Sequence, residues 1–206
     1  MKKQVILYDF DKTLIDSESI ILLWKYALQK RRISYLQIPI KALSGSFDYL
    51  TKRDFKYVKN SMVSVLKYLS ENDLRDFVLN YLYPNHFYVD GKNEFAKHDK
   101  NAIKILCSAS ATNYLKYVGE IYDFDHIIGT NLDHEFRVES ENNKRKVKVN
   151  NIKEYLILNK YEIDYENSRA YSDSFKDDRY MLELVKNRFL INSDIIKKGY
   201  ENLTWR

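Results

Sequence analysis

A chain of 206 residues with 45% hydrophobic and 15% aromatic content can bury a substantial core, which excludes a disordered protein and suits one domain, or one domain with a large insertion. Its 34 Lys and Arg against 29 Asp and Glu leave a net charge of +5, too mild at this length to name nucleic acid or an anionic membrane as a partner. The single cysteine, Cys107, excludes an internal disulfide and fits a reducing, cytoplasmic compartment.

Residues 3 to 8 run into "VILY", the pattern of a strand buried on both faces of a parallel sheet. Asp9 and Asp11 close that apolar stretch before it reaches the length of a secretion signal. From Ser17 to about Tyr83 the spacing turns helical. "SIILLWKYALQK" is one helix, Phe55, Val58, Met62, Val65, Leu66 and Leu69 mark a second, and Leu74, Phe77, Val78, Tyr81 and Leu82 mark a third, with Ser70 as its cap and Asp73 three residues on. Within this block "ISYLQIPIKAL" is the most apolar stretch, but it is short and contains Lys41, so it is at most a surface contact with a bilayer. Pro84 and the polar residues around "DGKNEF" end the block.

Strands and helices then alternate. "IKILCSAS" predicts a strand, Asn113 to Val118 a short helix, "HIIGT" a strand, "NLDHEFRVE" a hairpin, and Val149 to Asn159 a helix. "SRAYSDS" predicts a further strand, "DDRYMLELVKN" a helix and "RFLINS" the last strand, the order of a doubly wound α/β parallel sheet. His126 and His134 lack the spacing of metal ligands and read as structural.

Polar residues collect at the C-terminal ends of the predicted strands: Asp9 and Asp11, Ser108 and Ser110, Lys148 at a helix start, and Asp173 with Asp177 and Asp178. In an open parallel sheet that edge binds ligands. Several carboxylates converging there raise one another's pKa unless a cation neutralises them, and oxygen donors without His or Cys favour Mg2+ over Zn2+. With Mg2+ on one or two carboxylates and a substrate phosphate, another carboxylate is free to act as nucleophile or proton donor, and a lysine and a hydroxyl can hold the phosphoryl oxygens.

These motifs resemble those of the haloacid dehalogenase superfamily: "ILYDFDKTL" its first, "ILCSAS" its second, "KVNNI" its third and "AYSDSFKDD" its fourth. The stretch "ENNKRKVKVNNI" is similar to the pattern of subfamily IB, the branch of phosphoserine phosphatases and phosphatidylglycerophosphatase C-like proteins. The resemblance implies a Rossmann-like core over residues 1–16 and 84–206 with an inserted helical cap over 17–83. It implies that Asp9 attacks phosphorus to form an aspartyl phosphate and that Asp11 protonates the leaving oxygen and then activates water. Dehalogenases of the superfamily lack that second aspartate, so Asp11 points to phosphate chemistry.

By the same resemblance Thr13, Ser108 and Ala109 hold the phosphoryl group and Lys148 neutralises it. Mg2+ is held by Asp9, Asp11 through its backbone carbonyl, and Asp173, with Asp177 supporting it through water; Asp178 is the alternative to Asp177. Lys144 and Lys146 compete with Lys148, which is preferred because it lies seven residues after Glu141. Lys12 replaces the usual Gly or Ser and favours a more anionic substrate. Glu18 matches a position that reads the substrate amine in phosphoserine phosphatases, and equally suits the first turn of a helix. The expectation is a Mg2+-dependent phosphatase of a small soluble phosphomonoester, with a lipid phosphate or non-catalytic anion binding as alternatives and no nucleic-acid partner.

Overall fold

The computed structural model describes residues 1–36, 56–139 and 141–206. The predicted first strand divides at Gln4. β1 (Lys2–Lys3) pairs in parallel with β5 (Glu162–Ile163) in a two-stranded ribbon, while β2 (Val5–Tyr8) enters the main sheet. Among the described residues that sheet has six parallel strands in the order β4 (His126–Thr130), β3 (Ile103–Ala111), β2, β6 (Arg169–Ser172), β7 (Asn187–Ile191) and β8 (Glu201–Leu203). The chain therefore winds outward from β2 in one direction, returns to β6 at its other side, and winds outward again. A crevice opens at the C-terminal ends of the strands where the winding reverses, between β2 and β6.

Why β2 lies at the centre follows from its side chains, which alternate between two apolar layers. Val5 and Leu7 join a cluster with Ile105, Cys107, Ala170 and Leu190, covered by Ile152 and Leu156 of one helix and Met181 and Leu182 of another. Ile6 and Tyr8 face the other layer with Leu106 and Tyr171. On that face Tyr8, Tyr171 and Phe189 occupy matching positions on three neighbouring strands, their rings stacked 4.5 and 4.8 Å apart. At about 25 cal/mol per Å2 of apolar surface, these rings are among the main contributors to the core.

The same layer takes in the helical insertion. α1 (Ser19–Gln29) buries Leu22, Leu23, Tyr26 and Ala27 against it, as its apolar spacing predicts. α2 (Lys56–Val63) runs into a tighter 3-10 turn at Ser64–Tyr68. α3 (Glu71–Asp76) opens on the predicted Ser70–Asp73 capping box, with both reciprocal bonds present. Pro84 does not end this helix: a π-helical turn over Phe77–Leu82 leads into α4 (Tyr83–His86), with the proline in its first turn. Phe55 and the apolar stretch from residue 37 to 43 lie outside the described residues.

Three further predictions are corrected. The polar "DGKNEF" forms α5 (Val89–Ala96), seated by bonds from the amides of Val89 and Asp90 to the carbonyl of Arg206, a contact distant in sequence. The expected hairpin at "NLDHEFRVE" shrinks to one antiparallel bridge between Leu132 and Val138. "RFLINS" is not the last strand, since β8 follows at its edge. α6 (Thr112–Leu115) continues as a 3-10 turn, α7 (Arg145–Leu158) starts four residues earlier than its apolar spacing suggests, and α8 (Phe175–Leu182) follows β6. No helix among the described residues is long and apolar enough to cross a membrane.

One glycine fixes the end of β3. A Cβ on Gly129 would stand 2.8 Å from the carbonyl oxygen of Ser110 and 2.9 Å from the amide of Thr112. Both are backbone atoms and cannot swing aside. Gly129→Ala should lower stability by about 1–3 kcal/mol, read as a lower urea midpoint with an unchanged slope.

Candidate active site

Each motif reaches the crevice from the end of a different strand. The amide of Asp9 still donates to the carbonyl of Tyr171 on β6 at 3.0 Å, so the residue is held as if β2 continued. The chain then turns, with Lys12 in the left-handed region at φ 56° and the amides of Thr13 and Leu14 donating to Phe10. This turn sends the two carboxylates apart. Asp9 points toward β6, while Asp11 points toward the start of α1, where it accepts from the Ser19 amide at 2.7 Å and from the Ser110 hydroxyl at 2.7 Å. Ser19 Oγ also bonds Ser110 and Tyr114, so the Asp11 carboxylate rests on a buried hydroxyl cluster.

Lys148 lies in the first turn of α7 and is 2% exposed. Its ammonium donates to Asp9 at 2.8 Å and pairs with Asp178 at 2.6 Å. Lys148 thus takes the interior position among the three competing lysines: Lys144 stands 3.6 Å from Asp177 at the rim, and Lys146 lies near the ring of Tyr180. The acidic pair after β6 divides in the same way. Asp178 is buried and receives the Ser172 hydroxyl at 2.7 Å, whereas Asp177 faces the rim between Lys144 and Arg145.

Thr13 joins the first and fourth motifs. Its hydroxyl donates to Asp9 at 3.2 Å and accepts from the Asp173 amide at 2.9 Å, and the residue is fully buried. That geometry assigns it the setting of Asp9, in place of the phosphoryl contact expected of it. Ser108 does line the cleft, with its oxygen accepting from the Ser110 amide at 3.0 Å and its hydroxyl hydrogen left to donate. Ala109 lines it too, its carbonyl engaged by Thr130. The cleft holds about 210 Å3, and Lys12 and Glu18 meet across its mouth at 2.7 Å.

Charge in the cleft is only partly balanced. Burial pushes the Asp9 carboxyl up and Lys148 draws it back down, while Asp178 and Asp173 push it further up. Burial alone would lower Lys148, but Asp178 and Asp9 hold its ammonium well above the ordinary value. Burial, then Asp178, raises Asp173 to about 6, and burial raises Asp11 against the bonds from Ser19 and Ser110. Burial also pushes the Cys107 thiol up to about 12, which leaves it inert.

Whether a divalent cation fits can be judged from the donors. Among the described residues no three carboxylate, imidazole or thiol groups converge closely enough to cage an ion alone. Mg2+ asks for less, since it keeps several waters and takes one or two carboxylates beside a substrate phosphate. The side chain of Asp173 makes no hydrogen bond or ion pair among the described residues, and each oxygen of Asp9 has a lone pair beyond those used by Lys148 and Thr13. With their raised pKa values, these two carboxylates have the electrostatics of a pair short of one cation.

Several supporting residues carried no motif signal. Asn143 buries its amide against the carbonyls of Ser108 at 2.7 Å and Ile128 at 3.2 Å, tying the loop before α7 to the ends of β3 and β4. Asn151, two turns along α7, donates to its oxygen. Ser19 was visible only as the first residue of an apolar helix, whose free amides attract a carboxylate.

The model of the haloacid dehalogenase-like hydrolase family matches residues 6–183. A solved protein of unknown function from Bordetella pertussis Tohama I superposes with a TM-score of 0.78 at 17% identity, covering 98% of this chain and 99% of that one. A phosphoserine phosphatase solved as a phospho-aspartyl intermediate analogue superposes at 0.62 with 16% identity, covering 98% and 93%. A phosphoserine phosphohydrolase-like protein from Francisella tularensis superposes at 0.57 with 18% identity, covering 95% and 90%. These likenesses concern the fold. No curated protein matches the chain.

Proposed function

This chain belongs to the haloacid dehalogenase-like hydrolase family, and on that premise we propose that it is a Mg2+-dependent phosphatase acting on a small phosphomonoester through an aspartyl phosphate. The observation that carries the reading is the division of labour between the two carboxylates of "DFD". Asp9 faces Lys148 in the cleft, and Asp11 is held apart from it on Ser19 and Ser110.

In this reading an oxygen of Asp9 attacks phosphorus while Lys148 and Ser108 hold the non-bridging oxygens. Thr13 keeps Asp9 in its rotamer. Asp11, whose pKa burial raises, gives its proton to the departing alkoxide and later takes one from the water that cleaves the aspartyl phosphate. Asp9 and Asp173 would hold the Mg2+, with Asp177 near enough to the rim to orient a water. When bound, the ion offsets the negative charge that would otherwise keep a phosphate dianion from a carboxylate. The full set of acid, base and cation argues against a site that only binds anions.

Phosphate release tests this. With Mg2+ the protein should hydrolyse aryl and alkyl phosphates, and EDTA should stop both. In kcat/KM, which reports only the steps up to departure of the alcohol, Asp11→Asn should slow the alkyl ester by about 10²–10⁴-fold and the aryl ester far less, because a phenolate leaves without a proton. Equal losses on both esters would remove Asp11 from the acid role.

A further inference from the structure

We propose that the loop joining β7 to β8 docks the protein on an anionic membrane surface, with Ile195 and Ile196 entering the bilayer boundary and the lysines beside them meeting the lipid headgroups. Docking needs no turnover in the cleft and stands apart from the phosphatase reading.

The loop turns apolar side chains outward. Ile196 is 94% exposed, more than any other large hydrophobic residue among those described, and its neighbour Ile195 is 43% exposed. The backbone beneath them is held in shape. The side-chain amide of Asn202 donates to the carbonyls of Ser193 at 2.7 Å and Ile195 at 3.1 Å, and Gly199 turns the chain at φ 84°, a conformation open to glycine. Two adjacent aliphatic side chains thus stand in water on a fixed turn, where removal to an apolar medium is favourable.

The charge around the loop names that medium. Lys197 and Lys198 follow the isoleucines directly and are exposed, as is Lys176 on α8. The ammonium of Lys197 lies 5.4 Å from the centre of the Phe175 ring, which joins the loop to the start of α8. From α8 the basic surface continues to α7: Lys146 lies 5.9 Å from the ring of Tyr180, and Lys144 and Arg145 face Asp177. Across residues 144–146, 175–179 and 193–199 seven cations stand against three carboxylates, one of which, Asp178, is turned inward to Lys148. That surplus of four is nearly the +5 of the whole chain. Among the described residues Lys146, Lys176, Lys197 and Lys198 make no ion pair, so their charge is free to meet an anionic surface.

A nucleic acid would engage the lysines and leave both isoleucines in water. An anionic bilayer accepts both, the aliphatic tip at the acyl boundary and the ammonium groups among the headgroups. The loop also reaches the cleft wall, since Phe175 follows Ser174, which lines it. Docked in this way, the protein holds the mouth of its cleft beside the membrane.

Sedimentation with vesicles tests the proposal. The wild type should bind vesicles of phosphatidylcholine mixed with phosphatidylglycerol at least about tenfold more tightly than vesicles of phosphatidylcholine alone, and added salt should release it. Lys197→Gln/Lys198→Gln should weaken binding to the mixed vesicles about twentyfold, at about fivefold for each lysine near the surface. Ile195→Ser/Ile196→Ser should weaken it about tenfold. Urea midpoints equal to that of the wild type show the variants folded; should a double variant not fold, Ile196→Asp alone serves the same comparison.

In Ile196→Trp, the emission in excess of Trp24 and Trp205 should shift to shorter wavelength with the mixed vesicles and stay fixed with phosphatidylcholine. No binding to the mixed vesicles, binding that neither double substitution weakens, or an unshifted tryptophan on sedimented protein overturns the proposal. Retention on heparin without binding to vesicles overturns it too, and makes the rim a polyanion site. Phosphate release from soluble esters should be the same in these variants as in the wild type, so failure of docking and failure of the phosphatase reading are told apart.

Discussion

Asp9→Asn should abolish phosphate release, by at least about 10⁴-fold in kcat, without costing the protein its fold. The amide oxygen can still accept from Lys148, and the amide nitrogen meets Thr13, whose oxygen accepts already from Asp173 and has a second lone pair. The substitution also removes a buried carboxylate that Asp178 and Asp173 crowd with like charge. Melting temperature should therefore hold or rise, the signature of a charge retained for chemistry at the expense of stability. Phosphate release at the wild-type rate would end the assignment of Asp9 as nucleophile, and loss of both activity and cooperative unfolding would make it a structural residue.

Lys148→Met should lose both. The thioether fills much of the space, but it leaves Asp9 and Asp178 facing one another, buried and without their cation. Breaking a buried pair in this way costs about 3–5 kcal/mol, and loss of the group proposed to neutralise the transferring phosphoryl should slow turnover by about 10²–10³-fold. The cost has a predictable pH dependence. Burial already raises Asp9, and removing Lys148 takes away the main influence lowering it. A carboxyl whose folded pKa lies above its unfolded value holds its proton more tightly when folded. The penalty should thus be smallest near pH 4, the ordinary carboxylate value, and grow as pH rises through the elevated folded value. Urea midpoints of variant and wild type at pH 4.5 and 7.5 measure this directly, and a difference that does not change with pH would place the loss in packing.

The core strands and the ends that carry chemistry were legible because they depend on short-range pattern. "VILY" and "IKILCSAS" are apolar on both faces only where a sheet is covered twice. A lone carboxylate after such a strand commonly caps a helix or forms a turn, and it is the four ordered motifs at strand ends that made the site legible. The identity of the inner aspartate was not legible. Asp177 and Asp178 are adjacent at the start of α8, and which of them turns inward depends on the Ser174 cap and on the Ser172 hydroxyl that donates to Asp178. α5 and the passage of α3 through Pro84 were missed for a related reason: Arg206 seats the first and a π-helical turn permits the second, and neither leaves a mark in local composition.

The strand order has a consequence for how the protein comes into being. β2 leaves the ribosome well before β6, one of its two flanking strands, which ends at residue 172, and the amide of Asp9 waits for a carbonyl on Tyr171. At a synthesis rate of roughly 5–20 residues per second, "VILY" spends on the order of ten seconds without that neighbour. During that interval Asp9, the proposed nucleophile, has neither Thr13's anchor on Asp173 nor, until late, Lys148. The nascent chain is therefore catalytically silent and carries an apolar strand with one edge still unpaired. Co-translational folding here is a late event, and chaperones that shield an amino-terminal strand should matter more to its yield than the modest size of the domain would suggest.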